Sequence, residues 1–301
     1  MVRDYPFESN FLPRPGGRLH YLDEGPKDAP PVLMVHGNPT WSYYYRHLVL
    51  ALRESHRVIV PDHLGCGLSD KPAEGEYPFT LEARIADLEA LMEQLEPLRP
   101  VKLVVHDWGG MIGSGWATRH PERVERLVVL NTAAFHRPAG KAIPWQLKLV
   151  RETPFGGLLV RGFNAFARGA VRSCVTETTL DAETREAYLA PYGSWQDRLA
   201  VLRFVEDIPL KRSHPSYDTV TEVEARLPAL LEKPMRIYWG MRDFVFDGDY
   251  LAEWERRFPR AEVHRFEAAG HYVLEDRREA IVAGVREFFG AGAPAVQEAT
   301  S

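Results

Sequence analysis

The segment Val101-Lys-Leu-Val-Val-His-Asp-Trp-Gly-Gly110 holds the residue with the clearest chemical purpose, Asp107. An apolar run ends there and a small-residue stretch, Gly109-Gly-Met-Ile-Gly-Ser-Gly115, begins. A strand that turns sharply into a helix lifts one side chain above the end of a sheet, the geometry of a nucleophile elbow. An aspartate is ionised at neutral pH and needs no base for its first attack. A carboxylate at this bend, in place of a serine, directs the chemistry toward a saturated carbon and away from acyl transfer.

Two more residues complete a set by order and context. Asp243 follows Ile237-Tyr-Trp-Gly-Met-Arg242, just past an expected strand, and His271 stands in Ala268-Ala-Gly-His-Tyr-Val273, past the last one. Nucleophile, acid and histidine in that order, each at the carboxyl end of a strand, are where open α/β sheets build their sites. Asp247 and Asp249 are rivals for the acid, but Asp243 alone follows the strand immediately. A lone Asp-Trp-Gly is an ordinary turn and a lone Gly-His an ordinary loop. Their joint order makes Asp107, Asp243 and His271 the expected catalytic residues.

A fourth feature, His36-Gly-Asn-Pro-Thr-Trp41, follows another expected strand. The backbone N–H groups of Asn38 and Trp108 are expected beside the nucleophile, with the Asn38 amide and the Trp108 indole as further neutral donors for a departing anion. Asparagine also shapes turns, which is the plainer role for Asn38.

The elements that position these residues follow from the hydrophobic rhythm. Strands are expected near Leu19–Asp23, Val32–His36, Arg57–Pro61, Val101–Asp107, Arg126–Leu130, Met235–Trp239 and Glu262–Phe266, with an earlier one around Phe7–Leu12. Helices fit Tyr44–Glu54, Thr80–Leu95, Gly110–His120, Tyr250–Phe258 and Arg277–Phe289. The alternation predicts an α/β fold, a mostly parallel eight-stranded sheet with helices on both faces. Between Asn131 and Lys233 the rhythm breaks into helix-like pieces, Trp145–Glu152, Leu158–Arg168, Ala182–Ala190 and Trp195–Glu206. A structureless loop of that length is foreign to a compact domain, so a helical cap inserted after the sixth strand is expected. The division is residues 1–135 and 216–301 for the core and 136–215 for the cap. The cap aromatics Trp145, Phe155, Phe163, Phe166, Trp195 and Phe204 are expected to face the core or the pocket. The tail from Gly290 to Ser301, small and polar, is expected to fray.

Composition narrows the function classes. A chain of 301 residues that is 45% hydrophobic can bury a large core, and its net charge of −5 offers no basic field for nucleic acid. Cys66 and Cys174 lie far apart without metal-ligand spacing, which favours reduced thiols. The start, Met1-Val-Arg-Asp-Tyr-Pro, lacks the apolar region of a secretion signal, and no apolar stretch approaches the ~20 residues that span a bilayer. A cytoplasmic protein is expected. The eleven histidines include no His-Glu-x-x-His, so metal catalysis is not expected. His106 should point to the opposite side of its strand from the nucleophile. Asp62 and His63, beside Gly65-Cys-Gly67, read as structural parts of a tight turn.

These motifs give the chain a family resemblance. Through His36-Gly-Asn-Pro-Thr40, Pro61-Asp-His-Leu-Gly-Cys-Gly-Leu-Ser-Asp-Lys-Pro72, His106-Asp-Trp-Gly-Gly110 and Gly270-His271 it looks like the haloalkane dehalogenase branch of the α/β-hydrolases. Within that branch it most resembles the β-lactone decarboxylases of bacterial long-chain olefin biosynthesis, through Leu130-Asn-Thr-Ala-Ala-Phe135, Phe163-Asn-Ala-Phe166, Trp239-Gly-Met-Arg-Asp-Phe-Val-Phe246 and Gly270-His-Tyr-Val-Leu-Glu-Asp276. Many dehalogenases carry the triad acid as a glutamate after the sixth strand. Asn131 stands near that place here, which moves the acid to Asp243.

The resemblance implies a cofactor-free enzyme with a lipophilic small-molecule substrate, a cis-3,4-dialkyl β-lactone converted to a cis-alkene and CO2. It also implies partnership with β-lactone synthetase in an assembly; Arg151, Arg161, Arg168 and Arg172, whose plainer role is a solvated face, are the residues that would dock such an acidic partner. Haloalkane dehalogenation is the alternative. An epoxide hydrolase would need two acid tyrosines in the cap, for which Tyr188 and Tyr192 are candidates, and Asn38 replaces the aromatic residue usual there. A serine esterase lacks its nucleophile, since Ser114 falls in mid-helix. A catalytically dead, ligand-binding homologue is the non-enzymatic alternative.

Overall fold

The architecture was read from a computed structural model, which describes residues 3–291; the expected fraying of the tail lies almost wholly outside them. Eight strands form one sheet: β1 (Asn10–Arg14), β2 (Gly17–Glu24), β3 (Pro31–Val35), β4 (Arg57–Pro61), β5 (Val101–Asp107), β6 (Val124–Thr132), β7 (Met235–Gly240) and β8 (Glu262–Phe266). Their order is β1-β2-β4-β3-β5-β6-β7-β8. β2 runs antiparallel to β1 and β4, and the other neighbours are parallel.

β3 and β5 lie side by side at the centre, although their connections leave in opposite directions across the sheet. Such a switch point opens a crevice at the carboxyl ends of the two strands. The loops bearing Asn38 and Asp107 both emerge there.

Both central strands are buried throughout, as expected when helices cover both faces. Val101, Leu103 and Val105 of β5 enter one apolar core and Val104 enters the other. The first core packs under α2 (Leu81–Leu95), α3 (Trp108–Arg119), α8 (Tyr217–Arg226) and α9 (Gly248–Arg257). The second packs under α1 (Arg46–Leu52), α10 (Val273–Asp276) and α11 (Arg278–Phe289).

Between β6 and β7 the chain forms α4 (Trp145–Glu152), α5 (Ala165–Ser173), α6 (Ala182–Leu189) and α7 (Leu199–Glu206), followed by α8. Val160, Ala167, Tyr192, Val201 and Leu202 form a small core of their own. The single helix expected over Leu158–Arg168 is two pieces. A wide turn covers Leu158–Gly162, Asn164 adopts a left-handed φ of 53°, and α5 starts after it. Asparagine tolerates that conformation better than most residues, and its amide is satisfied by the Tyr192 carbonyl at 3.3 Å.

Three of the cap aromatics depart from expectation. Phe204 is buried, Phe166 is half-buried and Trp145, though 70% exposed, lines the cavity, but Phe155, Phe163 and Trp195 are 66%, 64% and 49% exposed and line neither core nor cavity. Apolar character alone carries no information about which side of a short surface helix meets solvent.

Candidate active site

β5 ends at Asp107 and α3 begins at Trp108 with no intervening residue. The bend forces Asp107 to φ 51° and ψ −131°, a costly conformation for a residue with a side chain. Two glycines make room for it. A Cβ at Gly109 would lie 1.9 Å from the Val35 carbonyl oxygen, and one at Gly37 would lie 2.0 Å from Asp107 Oδ1. The Thr132 hydroxyl, at the end of β6, donates to the Asp107 carbonyl.

The Asp107 carboxylate is held at both oxygens. The Asn38 backbone N–H donates to Oδ1 at 2.7 Å, and His271 Nε2 stands 3.4 Å from Oδ2. On its other side, His271 Nδ1 lies 2.7 Å from Asp243 Oδ2. The three expected catalytic residues are thus brought into one chain of contacts and are all buried. The rivals for the acid are elsewhere: Asp247 caps the start of α9, and both it and Asp249 pair with Lys141.

Sequence reasoning assigned no positioning role to the groups around the triad. Asn131 Nδ2 donates to Asp243 Oδ2 at 3.0 Å, and the Val245 N–H donates to Oδ1 at 2.7 Å. Asp276 accepts from the Gly270 N–H and from the N–H groups of Thr176, Glu177 and Thr178, tying the histidine loop to the cap. The signal for Asp276 was present as the run Gly270–Asp276, without a role. His106 projects from the face opposite Asp107, as expected, stacks on Tyr44, and its Nε2 lies 2.9 Å from the His271 carbonyl oxygen. Asp62 anchors the neighbouring loop through His20 Nδ1 and the N–H groups of Ser42 and Leu68, a structural role.

Electrostatics follow from this packing. Burial alone would push the His271 imidazole down, but Asp243 and Asp107 flanking it overcome that and raise its pKa to about 10. Burial would raise the Asp107 carboxyl, yet its bond to His271 and the charge there hold it below the ordinary value. Burial and the neighbouring His271 push His106 down to about 3, so it stays neutral. Both carboxyl groups beside His271 thus favour the protonated form of its imidazole.

Asp107, Trp108 and His271 open onto a cavity of about 500 Å³ with a largely apolar wall that includes Phe135, Leu147, Phe166, Val205 and Phe246. Of the two expected donors, Trp108 lines this cavity with its ring against Phe204. Asn38 also lines it, but its side-chain amide donates to the Val201 carbonyl at 3.1 Å while its backbone holds Asp107. One amide hydrogen is therefore committed to the cap, and the second is the one the expected donor role would use. Tyr188 bonds Glu275 and Tyr192 bonds the Thr40 carbonyl, and neither lines the cavity. The cap acids an epoxide hydrolase needs are not supplied by that pair.

Residues 30–278 match the family model described as alpha/beta hydrolase fold. The chain is similar to a cis-3-alkyl-4-alkyloxetan-2-one decarboxylase from Shewanella oneidensis, at 50% identity over 94% of this chain and 88% of that protein. A protein of the same name from Xanthomonas campestris pv. campestris is 46% identical over 91% of this chain and 93% of its own length. Haloalkane dehalogenase 2 from Mycobacterium bovis is 31% identical over 95% and 96%. Among solved structures, a haloalkane dehalogenase from Bradyrhizobium elkani USDA94 superposes with a TM-score of 0.81 at 26% identity, covering 94% of this chain and 98% of that one.

Proposed function

This chain belongs to the alpha/beta hydrolase fold family, and we propose that within it the protein decarboxylates cis-3-alkyl-4-alkyloxetan-2-ones, β-lactones with two alkyl chains, to cis-alkenes. The observation that carries this reading is the identity of 50% across nearly the whole chain with a decarboxylase of that name, against 31% for a dehalogenase. The apolar cavity above a carboxylate suits a substrate with two hydrocarbon arms and one reactive ring.

In this mechanism an Asp107 oxygen attacks the sp³ ring carbon that bears the ring oxygen. That carbon–oxygen bond breaks with inversion, relieving ring strain and leaving a free carboxylate. The ester oxygen now stands opposite the carboxylate-bearing carbon's bond to CO2. Those bonding electrons form the alkene, CO2 departs, and the Asp107 carboxylate leaves regenerated. Inversion followed by anti elimination keeps the two alkyl groups cis. No water is consumed and no net proton moves. The His271 imidazolium, held by Asp243, stabilises the negative charge as it passes from nucleophile to ring oxygen and back. Trp108 offers its indole N–H to the opened carboxylate.

The test is to give one preparation a long-chain cis-β-lactone and, separately, a 1-bromoalkane. Alkene without bromide is expected. Bromide and alcohol without alkene would transfer the chain to dehalogenation, the alternative that shares Asp107 and His271. An Asp107→Ala variant separates an enzyme from a mere binder, since only an enzyme loses turnover.

Handover of the lactone from a β-lactone synthetase belongs to the same reading and is tested by co-purification. A cytoplasmic setting agrees with the two buried free cysteines. Among the described residues no helix is long and apolar enough to cross a membrane.

A further inference from the structure

The exposed side of the cap is unusual in two independent respects. Trp145, Leu149, Phe155, Leu158 and Phe163 are between 42% and 70% exposed within 19 consecutive residues. Large apolar side chains gathered at a surface mark a binding face. The longer stretch around these residues is also basic. Residues 137–175 hold seven Lys and Arg and a single acidic residue, Glu152, a local charge of +6 in a chain whose total is −5.

Some of these cations work internally. Lys141 pairs with Asp247 and Asp249, Arg151 donates to the Val205 and Glu206 carbonyls, and Arg161 lies over the Trp195 ring at 4.5 Å. Lys148 is exposed but pairs with Glu152 at 3.8 Å, and Arg137, Arg168 and Arg172 remain exposed.

We propose that this face docks on an anionic lipid bilayer. Aromatic and aliphatic side chains interspersed with Lys and Arg are the pattern of surfaces that lie in a membrane interface without crossing it. The cavity supports the orientation: Trp145 and Leu149, one helical turn apart, are both exposed and part of its wall, so it reaches the surface inside the patch. A lipophilic molecule dissolved in the bilayer would enter without crossing water. A second copy is disfavoured as occupant, because two faces of this charge repel each other. The docking surface does not depend on which substrate the cavity accepts.

The experiment is flotation of the full-length protein with phosphatidylcholine vesicles and with vesicles containing phosphatidylglycerol, without substrate and at low and high salt. Binding to the anionic vesicles alone, weakened by salt, is expected. The double variants Arg168→Glu/Arg172→Glu and Phe155→Ser/Phe163→Ser should each bind at least about tenfold more weakly, with unchanged melting and unchanged turnover of a water-dispersed short-chain substrate. None of these four side chains lines the cavity. Failure of the parent to float, equal binding to both vesicle types, or parent-like binding by both variants overturns the proposal. So does loss, in the Phe155→Ser/Phe163→Ser variant, of a dimer or of a complex with an acidic protein in place of vesicle binding.

Discussion

Asn131 Nδ2 and His271 Nδ1 converge on the same oxygen, Asp243 Oδ2, at 3.0 and 2.7 Å. Asn131 closes β6 and also grips the end of β7, donating to the Gly240 carbonyl at 3.0 Å and accepting from its N–H at 2.8 Å. One side chain therefore fixes both the strand that carries the acid and the acid itself. Being neutral, the amide adds no second charge beside Asp243.

Replacing Asn131 with Leu should orphan the Gly240 N–H, while the Gly240 carbonyl keeps the Asp243 N–H at 3.3 Å, and remove a donor from a buried carboxylate. Leaving such groups unpaired costs about 1–3 kcal/mol each, so the variant should lose at least ~2 kcal/mol in urea unfolding. Turnover should fall as well, because Asp243 is freed from its place beside His271. Parent-like unfolding would show that other donors fill the gap.

The reach of sequence reasoning was uneven for physical reasons. Asp107, Asp243 and His271 were legible because a strand must end before each loop, and the alternation of apolar runs marks those ends. Asn131 and Asp276 were not, since their partners lie 112 and 6 residues away along paths that only the folded loops define. The break at Asn164 was hidden because a left-handed asparagine leaves no periodic trace. The exposed Phe155 and Phe163 escaped because apolar residues are expected to pack.

Stability should decline as the pH rises above neutrality. His271 has a pKa of about 10 in the folded protein, against about 6.5 in an unfolded chain. Between these values the native state binds more protons, so its contribution is full below about 6.5 and is lost as the pH climbs through 10. An Asp243→Asn variant removes one of the two flanking charges, so its His271 should titrate lower and its stability profile should be flatter in this window. NMR titration of the imidazole, with melting curves across the same range, checks both. An unchanged His271 pKa in the variant would contradict the assignment.

Gly37 presses closely on the Asp107 carboxylate. A methyl group there would stand 2.0 Å from Asp107 Oδ1 and 2.4 Å from its Cβ, so the carboxylate must move. Misplacement by about 1 Å can cost roughly a hundredfold in rate. Gly37→Ala should therefore lower kcat by at least that factor while circular dichroism stays native. A variant with ordinary kcat would mean that the Asp107 carboxylate has freedom which its bond to the Asn38 N–H at 2.7 Å argues against.

The fate of oxygen separates the two chemistries that share this triad. In dehalogenation, water activated by His271 attacks the carboxyl carbon of the Asp107 ester, and one water oxygen stays in the carboxylate after each cycle. In decarboxylation by attack on the ring's sp³ carbon, the Asp107 oxygen–carbon bond breaks on the substrate side and both carboxylate oxygens return unchanged. After many turnovers of a β-lactone in oxygen-18 water, the peptide containing Asp107 should show no mass increase beyond a substrate-free control. The control matters because slow exchange of a buried carboxylate would mimic labelling. Heavy oxygen accumulating in Asp107 in proportion to alkene formed would exclude this route and require a hydrolytic step with His271 as base.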